Sequence, residues 1–461
     1  MAPVKKTAEN YILYNKGFTK DMNIDFDKKL SSDLLRAKEA RERMRETRFA
    51  EELVRLGEES VAALREFYSL YDEGLYIWLA GLWQPEIGGF YYSNSARDTE
   101  GFLPDLESTS QALRFAQKSG LFSAFDNDIT KAVSEKTKRA LVSFAKGLQD
   151  PDDGYFYHPQ WGKDINAGRR GRDLGWAVDI AKLFGASFDH PTALERIKQK
   201  NSNNNRENNP IPDHFKSVAA FKKYLSEMDL SKKSYSFGSM IAAQHSQIKA
   251  AGEEYIDATI EFFNNAQRPD NGLWQEKVNY DSVNGLFKIS SLYTRFEKPI
   301  QNAEAAFESA LYVALSDEPV TFVCEFYNPW CVINDLLGNI EKYGKKETAD
   351  AMRRRLLDAA PELLRVTMRK VSAHKKADGS FSYAPNRTAY RSQGALVAIR
   401  GTNEGDVNAS CISSTGTLVL GVSAALGIKP IPLFCEEDSR LFVNLLESAE
   451  VKPKKPQESE L

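Results

Sequence analysis

Residues 149–176 read QDPDDGYFYHPQWGKDINAGRRGRDLGW, a connection that carries a tight turn, an aromatic cluster, one histidine and three arginines. The turn starts at Gln149, reaches Gly154 and continues with bulky side chains. Glycine often ends helices in such turns, because it accepts the left-handed backbone conformation that closes a helix. The stretch therefore predicts one helix before it and a second helix after it.

The same turn recurs along the chain. Residues 84–90 (QPEIGGF) and 267–274 (QRPDNGLW) repeat the Gln, the Gly and the bulky residue, whereas residues 377–381 (ADGSF) keep the Gly and the aromatic residue. Units of this kind stack because a single helical hairpin cannot bury its apolar face alone. The spacing predicts six hairpins, whose second, small-residue helices cover residues 106–119, 173–184, 236–250, 303–315, 329–343 and 411–426.

The predicted fold class is all-α, a single (α/α)6 toroid with an N-terminal helical extension. Residues 1–56 are predicted to form an arm and a helix that pack on the barrel, and residues 57–448 the barrel that carries the site. Residues 449–461 combine lysines with prolines and are predicted to be a disordered tail.

Composition narrows the classes of function. The 461 residues carry a net charge of -3, which gives no reason to expect a nucleic-acid partner. No continuous apolar run of about 18 residues is evident, so no membrane partner is expected, and the lack of a signal-peptide core predicts a cytoplasmic location. The four cysteines lack zinc-binding spacing. No metal or other cofactor is predicted, and the oligomeric state stays open.

The Gln-xxxx-Gly-aromatic turns between helices resemble the repeats of the terpenoid cyclase and protein prenyltransferase superfamily, the α/α toroids. That resemblance implies that the Gln caps neighbouring helix backbone and that the aromatic residue packs between hairpins. The cyclase acid motif is only approximated by Asp105-Leu-Glu107, and no zinc set of the prenyltransferase kind is evident. The loop chemistry is closest to carbohydrate-active barrels, the polysaccharide lyases and six-hairpin glycosidases.

Histidine is the first candidate for catalysis. His158 could remove the C5 proton of a uronate sugar, since imidazole exchanges protons near neutral pH. His158 could equally be hydrogen-bonded within its aromatic turn. Glu107 could simply cap the helix whose first turn it occupies. The full set of predicted catalytic residues is His158, Tyr157, Tyr390, Asp164 and Glu107.

Arginine and aromatic side chains are the candidates for binding. Guanidinium groups pair with carboxylate or sulfate through two parallel hydrogen bonds, and aromatic rings stack on sugars. The cluster at residues 169–172 could instead form salt bridges to Asp173 or Asp164. The predicted binding residues are Arg169, Arg170, Arg172, Trp161, Tyr91, Arg97, Trp330, Arg391 and Asn408.

These patterns predict an enzyme that cleaves an anionic oligosaccharide or glycoside, by β-elimination at the mouth of the barrel. One alternative is an isoprenoid cyclase or prenyltransferase with Asp105 and Glu107 as acids and with aromatic faces stabilising carbocations. Further alternatives are a glycoside hydrolase and a non-catalytic barrel that binds peptide or glycan. Fold-level analogy alone does not separate them.

Overall fold

The computed structural model describes residues 24–193, 195, 213–451 and 453–456. These residues are mostly helical, so the predicted all-α class is confirmed. In the first half of the chain a two-stranded sheet pairs β1 (Trp83–Gln84) with β2 (Gly89–Phe90). The helices there are α1 (Ile24–Leu56), α2 (Glu58–Tyr68), α3 (Glu73–Ala80), α4 (Asn94–Asp98), α5 (Leu106–Ser119), α6 (Ile129–Ala132), α7 (Glu135–Gly147) and α8 (Ala167–Leu183).

The second half continues the helical pattern, with one short sheet that pairs β3 (Arg391–Ser392) with β4 (Ala395–Leu396). A π-helix (Ile412–Ser423) prolongs α17 and leads into α18. The helices are α9 (Val218–Ser226), α10 (Leu230–Ala243), α11 (His245–Ala251), α12 (Glu253–Ala266), α13 (Tyr280–Phe296), α14 (Ala303–Leu315), α15 (Cys324–Tyr343), α16 (Lys346–Ser372), α17 (Val407–Cys411), α18 (Ala424–Leu426) and α19 (Glu436–Glu447).

The long helices pack in a series. In spatial order, α8 contacts α5, α5 contacts α17, the π-helix contacts α15, α15 contacts α13, and α13 contacts α10. A second set packs against this series, with α7 on α8, α14 on α15, α16 on α14 and α2 on α16. We call these two sets the first and the second layer, and the apolar core contains residues of both.

Local signals explain where the helices that carry the site begin. The Asp105 side chain caps α5 by accepting the Ser108 N–H at 3.1 Å, and the Asp406 side chain caps α17 in the same way. The Asn166 side chain caps α8 by accepting the Arg169 N–H at 2.8 Å. Such caps satisfy backbone donors that the first helical turn leaves unpaired. The starts of α5, α8 and α17 are consequently well defined.

The repeated turns are scaffold, as their recurrence predicted. Gly154 and Gly272 both have positive φ, and a Cβ on either would come within 2.4 Å of Pro191 O or 2.2 Å of Ala306 N. Only glycine fits where a turn has a positive φ and lies this close to another backbone segment. Gln149 exchanges hydrogen bonds with the backbone of His190, through Nε2 at 2.8 Å and Oε1 at 3.2 Å.

The predicted small-residue helices are found with several corrections. Residues 236–250 are divided between α10 and α11, and the helices over residues 329–343 and 411–426 start at Cys324 and Val407. Residues 106–119 and 303–315 have the predicted bounds, whereas residues 173–184 fall in a helix that already starts at Ala167. The helix after the turn at 267–274 is α13, which the sequence analysis did not predict. Residues 303–315 form α14, which belongs to the second layer and packs on α15 and α16.

Both ends of the described chain pack on the body. Residues 24–56 form α1, which packs on α2 and α19, while residues 1–23 of the predicted arm lie outside the described residues. The prediction of a disordered tail is wrong for residues 453–456. Lys455 exchanges backbone hydrogen bonds with Asp98 and Glu100, and Lys454 Nζ lies 4.5 Å from the ring centre of Tyr91. A few backbone and side-chain contacts therefore hold this polar segment.

The predicted absence of an apolar run of about 18 residues is wrong. Among the described residues, the helix at Val407–Leu426 is long and apolar enough to cross a bilayer. However, 72% of its apolar window is buried inside the structure. Its small and apolar residues are used in packing against α15, where Gly416 and Gly421 approach Tyr327 and Trp330.

Candidate functional site

A buried guanidinium joins the starts of α5 and α8. The Arg169 side chain, which is fully buried, donates from Nε to Asp173, from Nη1 to Glu107 and from Nη2 to Asp105, each at 3.0 Å. All three carboxylates are buried as well. Charge-assisted hydrogen bonds of this kind are strong and directional. Arg169 therefore holds the three carboxylates together beneath the site. It is buried too deeply to contact a substrate, so it does not fit its predicted role as a binding residue.

Glu107 occupies the centre of this cluster. One of its carboxylate oxygens accepts from Arg172 at 2.5 Å and from Gln111 at 3.3 Å. The other accepts from Arg169 at 3.0 Å and from the Ser392 hydroxyl at 2.8 Å. Four donors therefore satisfy the hydrogen-bonding capacity of this buried carboxylate. Glu107 lies after the capping residue rather than acting as the cap, so the capping interpretation applies to Asp105.

Arg172 is the charged member of the cluster that reaches solvent. Its side chain is 38% exposed, compared with 2% for its partner Glu107. The predicted binding residue Asn408 lies beside the cluster, where its side-chain oxygen accepts from Gln111 at 3.2 Å. The structure thus brings together Arg172, Glu107 and Asn408 from α8, α5 and α17. A ligand approaching the helix starts would meet the Arg172 guanidinium.

The β3–β4 hairpin covers this site. Ser392 reaches Glu107, the backbone carbonyl of Gln393 accepts from Asn166 at 2.5 Å, and that of Leu396 accepts from Gln160 at 2.9 Å. At the base of the hairpin the ring centre of Tyr390 lies 5.7 Å from the guanidinium carbons of both Arg391 and Arg400. Three hydrogen bonds therefore hold the hairpin and its predicted residues Tyr390 and Arg391 over the start of α8.

His158 is tied to the backbone through both ring nitrogens. Nε2 lies 2.8 Å from the carbonyl of Pro104 and donates to it, and Nδ1 accepts from the Gln160 N–H at 3.2 Å. Burial lowers the pKa of His158 below its usual range. The imidazole is therefore held neutral and joins the start of α5 to the 158–161 turn. This arrangement supports the hydrogen-bonded interpretation rather than the catalytic one.

Trp161 packs inside the site instead of presenting an open face. Its ring stacks on His158 with centroids 4.1 Å apart, and the guanidinium carbon of Arg169 lies 4.9 Å from its ring centre. Both contacts suit an indole, whose face attracts cations and other rings. Trp161 supports Arg169, and a sugar could not stack on it without displacing these partners.

Three more predicted residues of this stretch lie away from the cluster. The Tyr157 hydroxyl donates to Asp153 at 2.7 Å, and the Arg170 guanidinium carbon lies 5.2 Å from the ring centre of Tyr155. Asp164 is exposed and has no ion pair among the described residues. Tyr157 and Arg170 therefore make contacts within the turn, Asp164 lies on the surface, and none of the three lies in the cluster.

Three predicted binding residues have structural roles instead. Trp330 is fully buried and donates from Nε1 to Thr367 at 3.0 Å, so no ligand can stack on it. Arg97 is buried in a two-bond pair with Asp98 at 2.6 and 2.7 Å. Tyr91 is buried beneath Lys454. All three are structural, because folding already supplies the partners that a ligand would need.

Sequence reasoning missed two residues of the site. Gln111 bridges Glu107 to Asn408, and its position four residues after Glu107 is a signal that could have found it, since such residues are neighbours on a helix surface. Ser392 reaches Glu107 from 285 positions along the chain, and no local pattern marks it. Among the described residues, no group of three His, Cys, Asp or Glu side chains is arranged to hold a metal ion.

A groove of about 350 Å³ opens further along α5 and α8. Its lining includes Arg114 and Asp179, which form an ion pair at its rim, and apolar side chains such as Leu113 and Ile180. None of the predicted catalytic or binding residues lines it. The groove is therefore separate from the chemical cluster at the helix starts.

Asp173 should make the stability of the protein depend on pH. Burial raises its pKa to about 7, against the opposing effect of Arg169, and no hydrogen-bond partner of its Oδ1 is found among the described residues. Because the pKa of Asp173 in the folded protein lies above the ordinary 3.8, its contribution to the free energy of unfolding is full below pH 3.8. That contribution is lost as pH rises towards 7. In wild type we expect the free energy of unfolding to fall by on the order of a few kcal/mol over this pH range because of Asp173, and we expect Asp173→Asn to remove that fall.

Unfolding free energies of both proteins, measured by denaturant titration from pH 4 to pH 8, check this expectation. Asp406 is also buried with a pKa raised to about 7, so the wild-type curve contains its contribution too. The difference between wild type and Asp173→Asn isolates Asp173, since Asp406 is common to both. If the free energies of unfolding of the two proteins changed with pH in the same way, Asp173 would have an ordinary pKa in the folded protein.

Comparisons of the chain with protein families, with curated proteins and with solved structures found no match. The role proposed below therefore rests on the geometry of these side chains.

Proposed function

We propose that the protein is a single (α/α)6 toroid that cleaves an anionic oligosaccharide or glycoside at the mouth formed by the starts of α5, α8 and α17. The packing order α8–α5–α17–π-helix–α15–α13–α10 supports the barrel. It joins six helices as neighbours, since α17 and the π-helix are continuous and count as one. In this proposal the second-layer helices complete six hairpins, each with one helix in either layer. Closure of the ring would bring α10 towards α8.

One observation carries the proposed function. Arg172 presents a partly exposed guanidinium at a helix start, and a buried network of one arginine and three carboxylates holds its partner Glu107 in place. A guanidinium held in this way is preorganised to bind a carboxylate or sulfate. Substrate-binding groups that are supported by a buried set of partners are typical of catalytic sites. The acidic group of a sugar is the ligand that this arrangement fits best.

The proposed reaction is β-elimination with Tyr390 as base. Its ring is only partly buried, its hydroxyl has no hydrogen-bond partner among the described residues, and two guanidinium groups flank it. The phenolate would take the C5 proton of a uronate while Arg172 neutralises its carboxylate. The C4–oxygen bond then breaks, and the leaving sugar oxygen takes the proton from the Tyr390 hydroxyl, which restores the base.

Hydrolysis is the second candidate, and a different observation favours it. Glycoside hydrolysis needs two carboxyl groups, of which one holds a proton at the working pH. Asp173 has a pKa raised to about 7 by burial, and Glu107 shares the Arg169 guanidinium with it, so hydrolysis would require the substrate to open this buried cluster. Elimination gives an unsaturated, ultraviolet-absorbing product, whereas hydrolysis gives a new reducing end without that absorbance. The product therefore separates the two reactions.

A screen of acidic oligosaccharides for ultraviolet absorbance and reducing ends tests the proposal. With the substrate found, Tyr390→Phe and Arg172→Gln should each lower kcat/KM by about 100-fold or more, as expected for a general base or a charge partner. Arg114→Gln, which alters an exposed arginine on α5, is the matched control and should stay near wild type. Full activity in the Tyr390→Phe variant would exclude elimination by this residue, and no cleavage of any acidic glycan would end the proposal.

A further inference from the structure

Residues 453–456, here called the C-terminal strap, lie across the loop that joins α4 to α5. The backbone of Lys455 makes two hydrogen bonds there, because its N–H donates to the carbonyl of Asp98 at 2.8 Å and its carbonyl accepts from Glu100 at 2.9 Å. The proline that follows Lys455 favours an extended backbone at this position. Lys455 accordingly forms a parallel β-bridge with Thr99. The strap therefore pairs with the loop as a short β-strand would.

Lys454 supplies the side-chain contacts of the strap. Its ammonium donates to the carbonyls of Thr99 at 3.2 Å and Phe102 at 2.5 Å, and it lies 4.5 Å from the ring centre of Tyr91. A charged donor forms stronger hydrogen bonds than a neutral one, and the face of an aromatic ring attracts a cation. The other three residues of the strap are exposed. Among side chains of the strap, the Lys454 ammonium therefore contributes most to its docking.

The loop beneath the strap is connected to the β3–β4 hairpin that covers the site. The N–H of Leu103 in this loop donates to Oε1 of Gln160 at 3.3 Å, and Nε2 of the same Gln160 donates to the carbonyl of Leu396 at 2.9 Å. Tyr92 provides a second connection, since it follows the ring that the ammonium contacts and is buried in one cluster with Val397 at the end of the hairpin. Movement of the loop should therefore reach the hairpin through direct contacts.

We propose that the C-terminal strap is a latch that holds the loop and the β3–β4 hairpin in place over the site. A segment with few buried contacts can leave the body at a small free-energy cost while the helices stay folded. When the strap leaves, the loop loses the Lys454 ammonium and the hairpin loses part of its support. The mouth at the start of α8 then opens more often, so the tail regulates access to Glu107 and Arg172. This inference is independent of the reaction proposed above.

Hydrogen exchange followed by mass spectrometry tests the latch on the full-length protein without any ligand. Lys454→Met removes the ammonium. We expect the backbone amides of residues 99–103 and 389–398 to exchange about tenfold faster in this variant, equivalent to 1.4 kcal/mol of local opening free energy. Lys455→Met replaces an exposed side chain of the same strap, so it is the matched control and should alter these rates by less than about twofold.

The pattern of exchange decides the outcome. Faster exchange in both segments, with α14 unchanged, would support the latch. Unchanged rates in Lys454→Met or an equal effect of Lys455→Met would overturn it, and so would faster exchange of residues 99–103 alone, because the hairpin would then be independent of the strap. Faster exchange throughout the chain would also overturn it, since the tail would then stabilise the whole fold. Cleavage of a glycan enters none of these measurements, so a failure of the latch and a failure of the proposed function are distinguishable.

Discussion

Replacement of Arg169 by methionine should lower the free energy of unfolding by about 3–5 kcal/mol at pH 7. The guanidinium is fully buried and bonds to three buried carboxylates, Asp105, Glu107 and Asp173. Without it, like charges would face one another in a low dielectric, where removal of one partner costs more than the ion pair itself contributed. Denaturant titration at pH 7 measures the loss.

The loss should also depend on pH. At pH 5 the buried Asp173, whose pKa is raised to about 7, holds a proton, which removes one uncompensated charge of the Arg169→Met variant, so the difference from wild type should shrink. Arg114→Met is the matched control, because Arg114 forms an exposed ion pair with Asp179 and such pairs contribute about 0–1 kcal/mol. A similar small loss in both variants would mean that Arg169 does not hold the cluster together.

Replacement of Arg41 by methionine should destabilise the protein by a comparable 3–5 kcal/mol. Arg41 projects from α1 and bonds to Glu73 at 2.5 Å and to Asp438 at 2.6 Å, and all three side chains are almost completely buried. These two bonds tie α1 to α3 and α19, which come from opposite ends of the described chain. We therefore expect the variant to lose the docking of α1, with faster proteolysis within residues 24–56.

Arg48→Met is the control for this second prediction. Arg48 lies on the same helix, but it forms an exposed pair with Glu51, so its replacement should change stability by less than about 1 kcal/mol. Limited proteolysis with mass spectrometry locates the cuts, and denaturant titration gives the free energy. Equal resistance of Arg41→Met and Arg48→Met to protease would contradict a role of Arg41 in docking α1.

The helix at residues 106–119 shows how far local signals reach. Asp105 marks its start as a capping residue, and Gly120, with φ near 97°, ends it. Both signals lie within one turn of the helix they limit, so they can be read from the sequence. The recurring turns at residues 84–90, 149–155 and 267–274 could be recognised as scaffold for the same reason.

Trp330 shows where such signals mislead. The predicted helix at residues 329–343 starts at Pro329, and the first helical position is one that proline favours. In the structure the helix starts five residues earlier, at Cys324, and Pro329 lies inside it. Tertiary packing overrides the local cost of the proline. Trp330 therefore turns into the core, where Thr367 accepts its indole N–H, and it cannot serve as a binding platform.

The amino-acid sequence by itself determined the helical class, the repeated turns and the helix caps, because each of these depends on residues a few positions apart. Only the tertiary structure decided that Arg169 is buried among carboxylates, that Arg170 stacks on Tyr155 and that Arg172 stays partly exposed. Glu107 lies 62 positions from Arg169 and 285 from Ser392. Burial and charge pairing arise when such distant segments pack together, and no pattern within residues 149–176 specifies them.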